Sequence, residues 1–306
     1  LSGRYNNDKG YLYGVRQHTV FDSLSRDPLQ ANVLYLAETG DGSIVSMNPS
    51  EDLNTTAKIT FKPIPTIKIN YDVVYSNSEY QTYAHDYQYN PDANYNRFEW
   101  GLINSLEYRH AVSNSTFFAL KGSYNSSDFK RYLYPLLDAS GSEVSFNPGK
   151  SLDGLFADPR YQPDDKSNSY SSYTFVSGGT QPEHFYQRSY STEIKFDITS
   201  QVTNQHEVKF GLKSKWDTMD FVFFEVLRNR SNYLTPTIPN PVDQKGSIDI
   251  YSRSPQQFSG YLQDKMEFTS MILNAGLRID YFNANSVYAP DPFKPTSDLT
   301  DAESKF

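Results

Sequence analysis

An antiparallel transmembrane β-barrel is the all-β fold class that this sequence predicts, and three observations support it. Apolar and polar residues alternate with period two over long stretches, and the connections between these stretches alternate between short and long. Aromatic residues also collect at the ends of the apolar rows. Period-two alternation indicates strands, because successive side chains of a strand point to opposite faces of the sheet. About nine or ten strands with long extracellular loops are expected.

The clearest alternation lies in residues 187–216, which we interpret as a hairpin around the polar break "SQVTNQ". The first apolar row consists of Tyr190, Thr192, Ile194, Phe196 and Ile198, and the second of Val208, Phe210, Leu212 and Trp216. The same pattern predicts strands at about 53–61, 67–75, 98–108, 118–124, 258–268 and 273–281. Asp264 stands on the apolar side of its strand and breaks the pattern there.

The connections between these strands are of two kinds. The short ones lie at about 62–65, 111–115, 200–205 and 269–270. The long ones are polar and rich in Tyr, Asn, Asp and Pro, at about 17–50, 79–96, 130–186, 218–250 and from 284 onward. Loops of more than about 15 residues are uncommon in a compact soluble domain. Membrane barrels, in contrast, combine short periplasmic turns with long external loops.

A soluble β-sandwich is the alternative fold, because it produces the same alternation with the apolar side turned inward. The aromatic residues favour the barrel, since amphipathic rings prefer the headgroup boundary of a membrane. The predicted interfacial girdle on the long-loop side consists of Tyr75, Trp100, Tyr124, Tyr190, Trp216 and Tyr281. The predicted girdle by the short turns consists of Phe61, Tyr108 and Phe268. Nothing in a sandwich would sort aromatic residues by height.

Composition narrows the functional classes. The 306 residues are 37% hydrophobic, and no run of 18 apolar residues occurs, which argues against a transmembrane helix. The net charge of −8 comes without a basic cluster, which argues against nucleic-acid binding. The absence of cysteine excludes disulfides and thiolate metal sites. In a barrel the charged side of the strands would face a hydrated interior; its members are Lys58, Lys68, Asp72, Glu193, Lys195, Lys209, Lys213 and Arg278.

Residues that carry catalysis are not recognisable in the sequence. The five histidines have no metal-ligand spacing, and no nucleophile elbow, phosphate loop or dinucleotide fingerprint occurs. Glu193 and Asp197 alternate with Lys195 and lie near Lys209, which indicates a structural charge ladder rather than a catalytic pair. No enzyme activity, cofactor or metal is expected.

The long segments are the expected place of recognition, because variable loops on a rigid scaffold often bind ligands. Residues 83–100 and 158–173 combine aromatic rings with Asp and Asn oxygens. The candidate ligand-binding residues are Tyr83, Tyr87, Tyr89, Tyr161 and Tyr170. Their rings suit sugar stacking or loop–loop packing, and the oxygens suit Ca²⁺ as a less favoured alternative.

Residues 257–283 contain a strand that ends in "YLQDKMEF", a two-residue turn and a second strand, and the chain begins with "LSGRYNNDKGYLYG". Both segments resemble the barrels of TonB-dependent outer-membrane receptors, especially those of Bacteroidetes-like bacteria. The stronger likeness is "GYLQDKMEF", a two-residue turn and "LNAGLRIDYF", within residues 257–283. The stretch "LSGRYNNDKGYLYG" resembles the early barrel of such receptors. Residues 1–306 are therefore interpreted as part of one outer-membrane β-barrel domain, without the plug domain and the C-terminal strands.

The resemblance implies energised uptake of a nutrient such as a siderophore, an oligosaccharide or a peptide across the outer membrane of a Gram-negative bacterium. The implied partners are membrane lipid, the TonB complex through a plug outside this segment, the small-molecule or oligomeric nutrient, and a surface lipoprotein as an accessory. A passive porin or small closed barrel, including a small barrel enzyme, is the first alternative. A soluble carbohydrate-binding β-sandwich is the second.

Overall fold

The computed structural model describes residues 1–22, 24–26, 34–162, 175–227, 235–240 and 247–285. Nine strands form one antiparallel sheet, in which their order across the sheet is their order along the chain. A tenth strand pairs with one of them. The nine strands are β1 (Ser2–Asp8), β6 (Ser50–Ile64), β7 (Ile67–Tyr80), β8 (Asn96–Ala111), β9 (Thr116–Tyr132), β12 (Glu183–Gln201), β13 (His206–Glu225), β15 (Gln256–Phe268) and β16 (Met271–Asn283). The tenth strand, β14 (Ile248–Arg253), pairs with the upper part of β13.

Every strand expected from alternation lies inside an observed strand. The short turns lie at 65–66, 112–115, 202–205 and 269–270, and the first is shortened from the expected 62–65 because β6 continues to Ile64. The strands are longer than expected, with 19 residues in β12 and 20 in β13. About 9–11 residues suffice to cross a bilayer obliquely. The excess lies on the long-loop side, so these strands continue well past the length that a membrane requires.

The long connections contain short elements that alternation did not predict, because two or three residues are too few to show a period. These are β2 (Tyr13–Val15), β3 (Leu24–Arg26), β4 (Leu34–Leu36), β5 (Ile44–Ser46), β10 (Leu136–Leu137), β11 (Glu143–Val144) and two 3-10 turns, His85–Tyr87 and Pro91–Ala93. They pair locally as β2–β5, β3–β4 and β10–β11. The described parts of the long connections thus contain local β structure of their own.

The register assigns each residue to a face, because directly opposed residues of an antiparallel pair share one side of the sheet. Ile59 faces Tyr71, and Tyr71 faces Leu106. The row then continues through Gly122 to Ile194. This side carries the predicted apolar rows, and we call it the apolar face; the opposite side is the polar face.

The core does not lie on the apolar face of the strand centres. Tyr71, Ile194 and Leu277 are 40, 47 and 69% exposed, so no second layer of the described chain covers them. A sandwich would bury these residues. The sandwich alternative is therefore wrong, and the buried clusters lie instead among the loops at the long-loop end.

Candidate ligand-transport surface

The polar face carries a dense set of ion pairs. Lys213 Nζ lies 2.8 Å from Glu193 Oε2, and Lys195 Nζ lies 2.9 Å from Asp197 Oδ2. Further pairs on this face are Lys58–Asp72, Arg109–Glu107, Lys209–Glu207, Lys215–Asp217, Lys265–Glu267 and Arg278–Asp280. The structural charge ladder is thereby confirmed. Such a face needs water beside it, because charged groups in hydrocarbon are costly.

A tyrosine packs onto a glycine within this ladder. Gly211 lies opposite Tyr261 on one side and opposite Asp197 on the other. The ring of Tyr261 covers Gly211, and its hydroxyl donates a hydrogen bond of 2.8 Å to Asp197 Oδ1. Glycine is needed here because a Cβ at residue 211 would lie 2.1 Å from the Tyr261 ring. An aromatic ring over a glycine is a device that fixes the register of curved sheets.

Gly211→Ala is expected to destabilise the barrel by about 1–3 kcal/mol, since overpacking of a tight contact costs this much. The added methyl group would displace Tyr261 and break its bond to Asp197. Urea unfolding of the full-length receptor in lipid vesicles measures the effect. Gly122→Ala is the matched control, because a Cβ at residue 122 meets nothing within 4 Å. Equal stabilities of the two variants would contradict this reading of the contact.

All nine aromatic residues of the predicted girdles lie on the apolar face. On the long-loop side Tyr75 contacts Trp100 edge to face at 6.4 Å, and Tyr124 stacks on Tyr190 at 6.4 Å. Trp216 and Tyr281 each contact Phe258, at 6.0 and 6.1 Å. The rings thus form contacts from strand to strand. Their position at a membrane boundary stays a prediction.

Asp264 lies on the apolar face, where it is paired with a histidine. Asp264 Oδ2 lies 2.7 Å from Nδ1 of His206, at the short-turn end of β13 and β15. His206 is half-buried and paired. One oxygen of this carboxylate is therefore paired with an imidazole nitrogen, and Asp264 lies at the edge of the apolar band rather than in its middle.

Above the girdle, the apolar side of the strands is covered by the connection between β9 and β12. The cluster contains strand residues Tyr186, Val222, Phe224 and Ile248 together with loop residues Leu133, Leu136, Phe146, Ala157 and Tyr161. These strand ends would otherwise expose apolar side chains to water, so covering them stabilises the loop and the strands together. This connection includes Tyr161, one of the candidate ligand residues, which is 2% exposed.

His184 is the centre of this cluster and is fully buried. Nδ1 is hydrogen-bonded to the hydroxyl of Tyr186 at 2.7 Å, and Nε2 to the hydroxyl of Tyr161 at 2.7 Å. Tyr161 in turn donates to the carbonyl of Tyr134 at 3.0 Å. The ring stacks on Phe224 at 4.6 Å. Burial lowers the pKa of His184 to about 3, so the imidazole is neutral.

The remaining candidate tyrosines lie near a second cluster. Tyr87 is 1% exposed and packs with Val20, Met47, Ala93 and Val176. Tyr83 packs against this cluster, and both Tyr83 and Tyr89 are half-buried. Tyr87 and Tyr161 thus serve loop–loop packing, one of the two roles that their composition suggested. Tyr170 lies outside the described residues.

Tyr83 and Tyr89 belong to an aromatic group that includes a ring from a distant segment. Tyr89 contacts Phe175 edge to face at 4.8 Å, and Phe175 contacts His85 at 5.4 Å. The hydroxyl of Tyr83 bonds His85 Nδ1 at 2.6 Å. Phe175 carries no sequence signal, because nothing local distinguishes it from other loop residues.

An arginine ties the first two long connections together. Arg16 Nε lies 2.5 Å from Asp92 Oδ2, and its Nη1 lies 3.1 Å from Asp41 Oδ2. No cluster of three or more acidic or histidine side chains suitable for a metal occurs in the described residues. The calcium alternative therefore gains no support from this part of the chain. The two 3-10 turns are too short to cross a membrane, and the described chain contains no helix with the length and apolarity for it.

This antiparallel sheet has one apolar face that is compatible with lipid and one face lined with ion pairs. Such a sheet is the wall of a membrane β-barrel. Residues 27–304 match the model of the family "TonB dependent receptor-like, beta-barrel". The chain belongs to this family, which confirms the resemblance in 257–283 and places the chain in the outer membrane of a Gram-negative bacterium.

Two solved structures are similar in fold. The outer membrane transporter YddB from Escherichia coli aligns with a TM-score of 0.51 at 9% identity, over 92% of this chain and 31% of that chain. The ferric citrate transporter FecA in its unliganded form aligns with a TM-score of 0.48 at 11% identity, over 77% of this chain and 30% of that chain. The chain thus spans less than a third of either transporter. Comparison with the curated proteins found no significant match.

Proposed function

We propose that this chain forms part of the barrel of a receptor that takes up a nutrient across the outer membrane with energy from TonB. The supporting observation is the sheet with two faces, one exposed and apolar, the other lined with ion pairs. The nutrient is a small molecule or oligomer such as a siderophore, an oligosaccharide or a peptide. A plug domain elsewhere in the protein would contact TonB, and a surface lipoprotein is an accessory candidate. The reaction is transport, without covalent chemistry.

The open edges of the sheet support a partial barrel. In the described part of the chain, β1 pairs only with β6 and β16 only with β15. A spanning sheet with free edges would leave backbone N–H and C=O groups unpaired in hydrocarbon, which costs several kcal/mol for each group. We therefore assign the missing neighbours of β1 and β16 to further strands of the same barrel. A closed barrel of these ten strands would require β1 to pair with β16.

Ligand contact in the long loops is proposed for Tyr83 and Tyr89. Both rings are half-buried, in contrast to Tyr87 and Tyr161, so they keep surface for a ligand. Phe175 contacts Tyr89 edge to face at 4.8 Å. Aromatic rings held in this way stack on flat apolar surfaces of sugars or chelators.

Labelling of intact cells tests the orientation of the barrel. The segment contains no cysteine, so S140C and T203C introduce unique thiols within it. Ser140 lies in the long β9–β12 connection and Thr203 in the short β12–β13 turn, and both are exposed. A membrane-impermeant maleimide should label S140C in whole cells and T203C only after lysis. Equal labelling of both in intact cells would contradict the proposed orientation.

Growth experiments separate energised uptake from a passive porin. A strain that carries the receptor gene and its deletion are grown on limiting ferric chelates, oligosaccharides or peptides, each with and without functional TonB. We expect a growth advantage on at least one nutrient that requires both the receptor and TonB. An advantage that persists without TonB would favour the porin alternative.

A further inference from the structure

Two arginines face each other on the polar side of the sheet above the girdle. Arg97 at the start of β8 is directly opposite Arg131 at the end of β9. Opposed residues of an antiparallel pair have Cβ atoms about 4.5–5.5 Å apart, and like charges in this arrangement repel. Lysines also stand opposite each other lower on this face, where Lys195 lies between Lys121 and Lys213. Lys195 and Lys213, however, pair with Asp197 and Glu193.

Arg131 has an acidic partner and Arg97 has none among the described residues, although Nε of Arg131 is also buried there without a hydrogen-bond partner. Arg131 Nη2 lies 2.5 Å from Glu183 Oε2, and its guanidinium lies between the rings of Tyr95 and Phe185, at 5.0 and 5.5 Å. Arg97 has no carboxylate within 4.0 Å among the described residues, and its Nη1 is buried without a hydrogen-bond partner there. Burial and the neighbouring charge of Arg131 lower the pKa of Arg97.

The two nearby carboxylates, Glu99 and Glu183, do not pair with Arg97. Glu99 lies on the same face of β8, but it accepts a hydrogen bond of 2.6 Å from Tyr80. Glu183 is occupied by Arg131. Nη1 is covered by the protein, but the Arg97 side chain as a whole is only half-buried. A guanidinium without an acidic partner costs free energy, so an anion from outside the described chain would stabilise it at its accessible part.

A row of aromatic rings continues from this pair across the next strands. Phe129 contacts Phe185 edge to face at 5.4 Å, and Phe185 contacts Phe221 at 5.1 Å. Phe221 stacks on Tyr251 of β14 at 4.8 Å. These four rings share the polar face with the arginines and are half-buried. The apolar side at this height is covered by the β9–β12 connection, whereas these rings keep accessible surface on the side of the interior.

We propose that Arg97 binds the anionic group of the transported ligand, and that the rings of Phe185 and Phe221 receive a flat apolar part of the same molecule. The ligand class is therefore a planar organic anion, such as an aryl carboxylate. Arg131 shares the anion from the opposite strand, with its second hydrogen-bonding edge committed to Glu183. This assignment rests on the proposed uptake function, because it requires that the polar face lines the interior of a barrel.

Binding of a simple probe to the purified full-length receptor in detergent tests the assignment. The probe is 4-(trifluoromethyl)benzoate, observed by fluorine NMR, and 4-(trifluoromethyl)benzyl alcohol is its neutral counterpart. We expect the wild type to bind the benzoate at least about tenfold more tightly than the alcohol, and Arg97→Gln to remove this difference. Phe221→Leu should weaken the binding of both probes.

Arg109→Gln is the matched control, because Arg109 lies on the same face of the same strand at its short-turn end and pairs with Glu107. It should leave the binding of the benzoate unchanged. Absence of benzoate binding to the wild type, or equal loss in both arginine variants, would overturn the assignment. Displacement by inorganic phosphate with no contribution from the ring would overturn the aryl part. None of these results depends on TonB, so they are distinguishable from failure of the proposed uptake.

Discussion

His184→Ala is expected to loosen the β9–β12 connection and to lower its local stability by about 3 kcal/mol. The substitution removes a fully buried ring that stacks on Phe224 and leaves a cavity. It also leaves the buried hydroxyl of Tyr186 without its histidine partner, and it removes one of the hydrogen bonds of Tyr161, which keeps its bonds to Tyr134. Each buried polar group left without its partner costs about 1–3 kcal/mol. Hydrogen exchange of the amides in residues 133–161 measures the change.

The same histidine makes this stability dependent on pH. Burial lowers the pKa of His184 to about 3, whereas an exposed histidine titrates near 6.5. Between these two pH values His184 binds a proton when the β9–β12 connection is unfolded but not when it is folded. The free energy of unfolding of this connection therefore rises with pH in this range. The contribution is complete above pH about 6.5 and declines as the pH falls towards 3. In the wild type, the protection factors of the amides in residues 133–161 should be lower at pH 5 than at pH 7.5.

His85→Ala provides the control for both measurements, because His85 is exposed in another loop. It should leave the protection of residues 133–161 unchanged at either pH. Unchanged protection in His184→Ala would show that the imidazole does not hold the connection in place. A pH effect of equal size in His184→Ala would assign that effect to another group.

Ile194→Lys is expected to destabilise the folded barrel in lipid by about 2–4 kcal/mol, the cost of a lysine at the bilayer midplane on the lipid face. Ile194 lies midway along β12 between Tyr190 and the short turn, and it is 47% exposed on the apolar face. No acidic residue stands in its row, where the neighbours are Gly122 and Ser214. Urea unfolding of the full-length receptor in vesicles gives the free energy.

Ser191→Lys places the same charge three residues away on the polar face of β12. It lies opposite Asp217 of β13, so the new ammonium group gains an acidic neighbour. This variant should unfold within about 0.5 kcal/mol of the wild type. If Ile194→Lys and Ser191→Lys lower the free energy of unfolding equally, the apolar face does not contact hydrocarbon. Together the pair tests the assignment of faces without knowledge of the ligand.

The strands and their faces could be predicted because the signal is local. Alternation over Tyr190–Ile198 indicates a strand and divides its side chains between two sides, whatever the rest of the chain does. Short turns then join neighbours into hairpins, which is why β12 and β13 were expected to pair. Exposure of Ile194 and Leu277 agrees with the assignment to lipid. The family match over residues 27–304 agrees with the resemblance.

The candidate site was predicted only in part, because the contacts that define it join distant residues. Tyr87 and Tyr161 have the same composition around them as Tyr83 and Tyr89, yet the first two are buried and the second two are not. Phe175 approaches Tyr89 from a segment 86 positions away. No period or spacing indicates which loop rings will be covered by other loops.

The sequence by itself determined the all-β class, the order of the hairpins and the division of each strand into an apolar and an ionic side. These properties depend on the period of a strand and on turn length, both of which are local. Only the tertiary structure decided that His184 is buried between two tyrosines and that Arg97 stands opposite Arg131 without an acidic partner in the described chain. Such placements arise from the register between strands and the packing of loops over strand ends, and these are set by the whole fold.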